Sequence, residues 1–356
     1  MKFAFIAHPR NIFELRASLF KFRYSFFSLL PRNRMMSFCL DKKFVENSFN
    51  YDLIISERGA SCEGKIYLVL LTPEQFINNQ QKAVEMIEKA CDMANGWGAG
   101  IIGLGALAAV VGSRGQEVEN YSTIPVTTGN SLTVYSSVKT FDRVVKKLEI
   151  DPKKEKVLLI GFPGSIILTL TKILAERGIN LRIFSRRKTS YLNKFLTELK
   201  YEYPVEIEVV KDLKEGISKG RLIISATSSG NVIDPDFLLP GSVVFDIAQP
   251  KDVIKKKKRR DVLILDTGIV TLPLKTPKKY RWSGWMPNDI PACLAETITL
   301  AMEDRAESFS LGRELSLSRI GEIGSLSEKH GFILDNFRNF KKPVNNKAIE
   351  YIKGFL

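Results

Sequence analysis

KVLLIGFPGSIILTL, residues 156–170, decides the fold. An apolar strand pattern runs into a turn holding Gly161 and Gly164, and an apolar helix pattern follows from Ser165. A strand that turns into a helix on glycine is where a Rossmann fold receives a pyrophosphate. The first glycine permits the turn, and the helix N-terminus offers amide donors and the positive end of its dipole. The spacing is G-x-x-G rather than G-x-G-x-x-G. Ile167 stands where many such loops carry a later glycine, and a branched residue there is expected to push the helix outward. Gly161, Phe162, Pro163, Gly164, Ser165 and Ile166 are the expected phosphate-binding residues.

Downstream, apolar runs alternate with helical stretches. LRIF (181–184), VEIEVV (205–210), RLIISAT (221–227), SVVFDIA (242–248) and DVLILD (261–266) read as strands. Strands alternating with helices predict a parallel sheet covered on both faces. The second strand ends in SRRKTS (185–190), where NAD sites usually carry an acidic residue for the ribose hydroxyls. Ser185, Arg186 and Arg187 suit a 2′-phosphate instead, which favours NADPH. Ala226 and Thr227 follow a later strand and are expected to meet the same cofactor. The reading is an α/β protein with a Rossmann-type NADP-binding domain over 145–280. An N-terminal α/β lobe, 1–144, is completed by C-terminal helices in 281–356 that carry Cys293 and pack on it.

The N-terminal lobe opens with a strand, FAFIA, and has another in KIYLVLL (65–71). A helix is predicted over roughly 74–95, with Cys91 on its core face. Residues 93–112 carry no charge and approach the length of a membrane span, ~20 residues. They contain six glycines, each weakening a helix by ~1 kcal/mol relative to alanine, so buried backbone near a ligand is the better reading. Residues 12–30, rich in Phe and Leu but interrupted by Arg16, Lys21 and Arg23, suit an amphipathic surface helix or the lining of an apolar site. This makes them the candidate for peripheral membrane contact.

The formal net charge of +14 favours acidic partners, while KKKKRR at 255–260 reads as a solvated surface loop. No nucleic-acid motif accompanies the charge, and no nucleic-acid partner is expected. Cys39, Cys62, Cys91 and Cys293 are far apart and form no CxxC pair, which suggests neither a metal site nor a disulfide framework. MKFAFIAHPR lacks the pattern of a secretory signal, so a cytoplasmic protein with free thiols is expected.

NDIPACLAET, 288–297, places Cys293 just after a proline suited to the first turn of a helix, with Asn288 or Asp289 able to cap it. Amides at a helix start lower a thiol pKa, which suits a nucleophile. A buried packing cysteine is the alternative. Cysteine combined with NADPH points to one chemistry: the thiolate takes an acyl group from a thioester, and a hydride reduces the bound acyl group to an aldehyde.

The chain resembles the cyanobacterial long-chain acyl-(acyl-carrier-protein) reductases, which form fatty aldehydes. The matching stretches run nearly end to end. They are FAFIAHP, EGKIYLVLLTPE (63–74), IIGLGALAAVV, TTGNSLTVYSSV (127–138), KVLLIGFPGSI, DTGIV (266–270), IPACLAETITLAME and FSLGRELSLSRIGEIGSLSEKHGF (309–332). The resemblance implies an acyl-enzyme on Cys293, NADPH on the glycine loop, and an acidic acyl-carrier protein as donor, with acyl-coenzyme A as the alternative. His330 is a candidate proton donor to the leaving thiol or the aldehyde oxygen, or else a structural histidine. Thr128 and Asn130 are candidate donors to the thioester carbonyl, or caps for the helix that follows. Two other readings fit the scaffold: an NADPH oxidoreductase of shikimate-dehydrogenase type, and an acyl- or lipid-binding protein without catalysis.

Overall fold

The computed structural model describes residues 1–22, 24–186, 189–256, 259–281, 285–339 and 342–356. The chain divides into two units. The first comprises Met1–Leu132, Thr271–Arg281 and Pro287–Ile333. Its sheet is formed by β1 (Phe3–Ala7), β2 (Val45–Ile55), β3 (Ser61–Val69), β4 (Ile101–Leu104) and β5 (Val126–Thr127), in the order β2-β3-β1-β4-β5. Only the edge strand β2 is antiparallel to its neighbour. β1 is buried along its whole length, the usual state of a parallel strand covered on both faces.

Ala4, Ile6, Ile102 and Leu104 share a core with Ile87, Ala90, Cys91 and Ala94 of the helix Gln80–Trp97. Cys91 is thus a core residue. Gly103 points the other way, toward the helix Ala292–Met302, which packs against β1, β3 and β4. A Cβ on Gly103 would lie 2.1 Å from Thr297 Oγ1, so only glycine lets this helix sit so low on the sheet. The single helix expected over 74–95 is two, Pro73–Asn78 and Gln80–Trp97, because Thr72 and Gln75 form a capping box and the first ends at Asn79. Residues 93–112 supply a helix end, β4 and the short helical turn Ala106–Ala109. Among the described residues no helix is long and apolar enough to cross a membrane. Residues 12–30 form α1 (Ile12–Lys21) and α2 (Ser25–Ser28), followed by α3 (Arg32–Lys42). Leu15, Leu19, Met35 and Cys39 pack there as a small separate core.

The second unit consists mainly of Thr133–Val270 and Leu334–Leu356. Its strands are β6 (Lys156–Ile160), β7 (Asn180–Phe184), β8 (Ile207–Val210), β9 (Leu222–Ser225), β10 (Val243–Asp246) and β11 (Leu263–Asp266). They pair in the order β11-β10-β9-β6-β7-β8, all parallel. Taken from the first of the six, this is the 3-2-1-4-5-6 order of a Rossmann fold. The α/β, Rossmann-type class is therefore as expected, and each predicted strand of this domain is present.

Two details differ. The second unit begins at Thr133 instead of 145, and the last part of the expected C-terminal segment, Leu334–Leu356, groups with it: Arg143 pairs with Asp335 at 3.2 Å, and Lys353 with Glu149 at 2.6 Å. In the basic run, Lys256 bonds to Asp234 and Asp236, and Arg259 reaches the carbonyls of Pro235 and Leu238 at 2.8 Å. Those two residues tie the loop down instead of standing free in solvent.

Candidate functional site

Cys293 lies one residue into the helix Ala292–Met302. Pro291 is the residue before the helix and has no side-chain cap. Neither expected cap is available: Asn288 Oδ1 accepts from the Tyr280 N–H (2.8 Å), and Asp289 Oδ1 accepts from Thr271 Oγ1 (2.6 Å). The amides at this helix start are left to the cysteine. Main-chain N–H groups of Leu294, Cys293 and Ala106 all favour its thiolate.

Burial outweighs them. It pushes the thiol up to about 12, and the Glu296 carboxylate one turn on adds to the rise. The expected lowering of this pKa is thus corrected, since a low-dielectric setting penalises the charged form more than three amides repay. Cys293 is nonetheless the one cysteine with partial solvent access; Cys39, Cys62 and Cys91 are buried.

Two backbone segments hold the site at the carboxyl ends of β4 and β5. After β4, the turn at Ala106 is fixed by His8. Its Nε2 accepts from the Leu107 N–H (3.2 Å), while Nδ1 donates to Pro9 O (2.9 Å). Burial lowers the His8 pKa to about 4, so the ring is neutral and keeps the tautomer this bridge needs. After β5, Gly129 takes φ +71, and a Cβ there would lie 2.2 Å from Cys293 Cα and 2.3 Å from its Cβ. The TTGN loop therefore presses its bare backbone onto the cysteine. Sequence reasoning valued TTGN for Thr128 and Asn130 and missed the glycine between them.

Glu296 was also underestimated. It is fully buried and gathers three segments: its carboxylate accepts from Thr127 Oγ1 (2.5 Å), Ser310 Oγ (2.7 Å) and the Leu132 N–H (2.8 Å). Burial raises its pKa, against the pull of these donors.

The remaining expected catalytic residues have other engagements. Thr128 donates its hydroxyl hydrogen to the Ser310 carbonyl, which leaves none for a thioester oxygen. Asn130 is the first residue of the helix Asn130–Leu148. His330 is buried at the end of the helix Leu317–Lys329, with Nε2 2.6 Å from Glu303 Oε1. Its carbonyl accepts from the Glu57 N–H (2.9 Å), and its Nδ1 is buried without a hydrogen-bond partner among the described residues, so both the reactive and the structural reading stay open.

In the second unit, the expected cofactor residues share one edge of the sheet, since β9, β6 and β7 are neighbours. Gly161 follows β6 with φ +126, and a Cβ there would lie 2.5 Å from Ala226 O. Gly164 is extended, donates to Gly161 O (2.8 Å) and precedes the helix Ser165–Glu176; a Cβ on it would lie 3.0 Å from Gly161 O. Side chains would fill this cradle, so its residues fit a pyrophosphate brought against main-chain amides.

Phe162 stacks obliquely on Tyr191 and Phe195, at 5.9 and 5.7 Å between centroids, and Pro163 completes the turn. Ser165 is buried and Ile166 half-buried. Ile167 is fully buried beside Gly161, so the core houses the branched side chain under the loop. Ser185 donates its N–H to Val210 O (3.0 Å), and Arg186 is exposed at the end of β7. Arg187 lies outside the described residues. Thr227 is held by Asp252, which accepts its N–H at 2.9 Å and its hydroxyl. Among the described residues no group of His, Cys, Asp and Glu could hold a metal ion.

No family model matches the chain. It is 33% identical over 368 aligned positions to "Aminotransferase PigE" of a Serratia species, an alignment that takes in 100% of this chain and 42% of that protein. The chain thus spans well under half the length of that relative. Among solved structures it is similar to a putative malic enzyme (13% identity, TM-score 0.45, 99% of this chain and 83% of the other). It is similar also to L-tryptophan dehydrogenase from Nostoc punctiforme (11%, TM-score 0.44, 99% and 86%). At these identities and scores the two likenesses bear on neither substrate nor reaction.

Proposed function

We propose that the chain is an NADPH-dependent reductase of long-chain acyl thioesters that forms a fatty aldehyde through an acyl-enzyme on Cys293. The observation that carries this reading is the setting of Cys293. It is the one cysteine with solvent access, and three main-chain amides attend its sulfur in a chain that also bears a Rossmann glycine cradle. The likeness in TTGN, the ACLAE around Cys293 and KHGF supports the same assignment.

In this reading Cys293 Sγ gives up its proton and attacks the thioester carbonyl carbon. The donor's carbon–sulfur bond breaks, and the donor leaves as a thiol that takes up a proton. Amides that favour the thiolate also face charge building beside the sulfur, where preorganised donors act most strongly. Bound NADPH supplies a hydride for the acyl carbon. The Cys293 carbon–sulfur bond then breaks, sulfur recovers a proton, and aldehyde departs. One thioester, one NADPH and one proton give one aldehyde, one thiol and one NADP⁺.

Gly161, Gly164 and the start of the helix Ser165–Glu176 would hold the pyrophosphate, with Arg186 at the 2′-phosphate. An acyl-carrier protein or acyl-coenzyme A, both acidic, suits the +14 charge. An aldehyde is also the kind of carbonyl compound a transaminase takes, so this step would be compatible with the activity named for the longer Serratia relative.

The test is aldehyde formation from a long-chain acyl thioester, trapped as its hydrazone, for wild type and Cys293→Ala. NADPH-dependent product from wild type alone supports the reading. Equal product from Cys293→Ala removes the acyl-enzyme, and no product from either removes the reaction.

A further inference from the structure

The geometry points to the face of α1 and α2 as a docking surface for anionic lipid bilayers, an inference that does not depend on the activity proposed above. Phe13, Phe20, Phe26 and Leu29 are 78, 69, 72 and 80% exposed, a density of bulky apolar groups that a solvated surface does not need. They are not strays from the core. At 3.6 residues per turn, Phe13, Ala17 and Phe20 (i, i+4, i+7) form one stripe of α1, while Leu15 and Leu19 form another that is buried in the small α1–α3 core. The helix is thus apolar on two faces, and among the described residues only the Leu15–Leu19 face is buried in a core.

Its polar flanks carry the charge. Arg16 and Lys21 border the Phe13–Phe20 stripe on opposite sides. Residues 10–43 hold eight basic and two acidic side chains, a net +6 of the chain's +14. Glu74 and Glu85 answer part of this charge, through Arg32 and Lys43. Arg34 and Lys42 are exposed as well.

An acidic protein surface would satisfy the cations but leave four large apolar groups in water. A bilayer interface with anionic headgroups satisfies both, with the rings entering the acyl boundary and the cations at the phosphates. A ten-residue helix, about 15 Å long, lies along such an interface and does not span it.

The experiment is co-sedimentation with vesicles of phosphatidylcholine alone and of phosphatidylcholine mixed with phosphatidylglycerol, at low and high salt. The expected result is binding to the mixed vesicles that falls with salt. It should weaken about tenfold or more in a Phe13→Ser/Phe20→Ser variant. Because both rings are exposed, that variant should keep the wild-type melting temperature, which separates lost docking from lost folding. Three outcomes would overturn the inference: no binding to the mixed vesicles, equal binding to both compositions, or undiminished binding of a folded Phe13→Ser/Phe20→Ser variant.

Discussion

Replacing Gly129 by alanine tests the most specific contact of the site. The new methyl carbon would sit 2.2 Å from Cys293 Cα, 2.3 Å from its Cβ and 2.6 Å from its carbonyl oxygen. Carbon atoms normally approach to about 3.5–4.0 Å, so overlap exceeds an ångström, against main-chain atoms that cannot rotate away. Forced overpacking of this kind costs about 1–3 kcal/mol. The left-handed backbone at φ +71 adds about 1–2 kcal/mol for any residue with a Cβ. The sum is about 2–5 kcal/mol.

Gly98→Ala supplies the control within the same unit. Its φ is +82, but nothing lies within 4 Å of the added carbon, so only the backbone cost of about 1–2 kcal/mol applies. Urea unfolding of wild type and both variants, monitored by far-UV circular dichroism, should place Gly129→Ala at least about 1 kcal/mol below Gly98→Ala. Alkylation of Cys293 by iodoacetamide, followed by peptide mass, should change in Gly129→Ala and stay at wild-type rate in Gly98→Ala. Equal stabilities, with unchanged alkylation in both, would refute the packing of the TTGN loop on Cys293.

Other outcomes follow from the same geometry. With its thiol at about 12, Cys293 should alkylate slowly at pH 7, and its rate should rise about tenfold per pH unit through pH 9; a plateau near neutrality would mean a stable thiolate. Gly161→Ala, with its Cβ 2.5 Å from Ala226 O, should abolish detectable NADPH binding by fluorescence titration, and unchanged affinity would contradict the cradle. Burial raises Asp246 from 3.8 to about 6, so its protonated form is favoured in the fold. Its contribution is full below pH 3.8 and fades as pH rises through 6. Wild type should therefore lose stability relative to Asp246→Asn across that window, and a pH-independent difference would count against it.

The fold was legible where the chemistry is local. β6 and its neighbours are near-continuous apolar runs bounded by turns, and Gly161 and Gly164 mark the loop by the backbone they require. The position of Cys293 at a helix start was equally readable. Its protonation was not, because it is set by burial in the folded chain, where the segments at Gly129 and Ala106 that reach it are more than 160 residues away in sequence. Comparable distances hid Glu296, whose partners Thr127 and Leu132 are 169 and 164 residues away, while Ser310, 14 residues on, joins them only in the fold. His330 stood out by scarcity, as one of two histidines, but its contact with Glu303, 27 residues away, could not be read from the sequence. Thr128 kept its polar type but spent its proton on Ser310. Periodicity registers α1 as amphipathic, but the second apolar stripe, outside the core, emerges only when Leu15 and Leu19 are seen facing inward.

The central claim is that Cys293 carries the acyl group and that NADPH removes it as aldehyde. Intact-mass analysis after incubation with a long-chain acyl thioester, first without and then with NADPH, tests it directly. The account predicts one acyl adduct, mapped to Cys293, that disappears on adding NADPH as aldehyde accumulates. An unmodified Cys293, or an adduct that NADPH leaves in place, would contradict it.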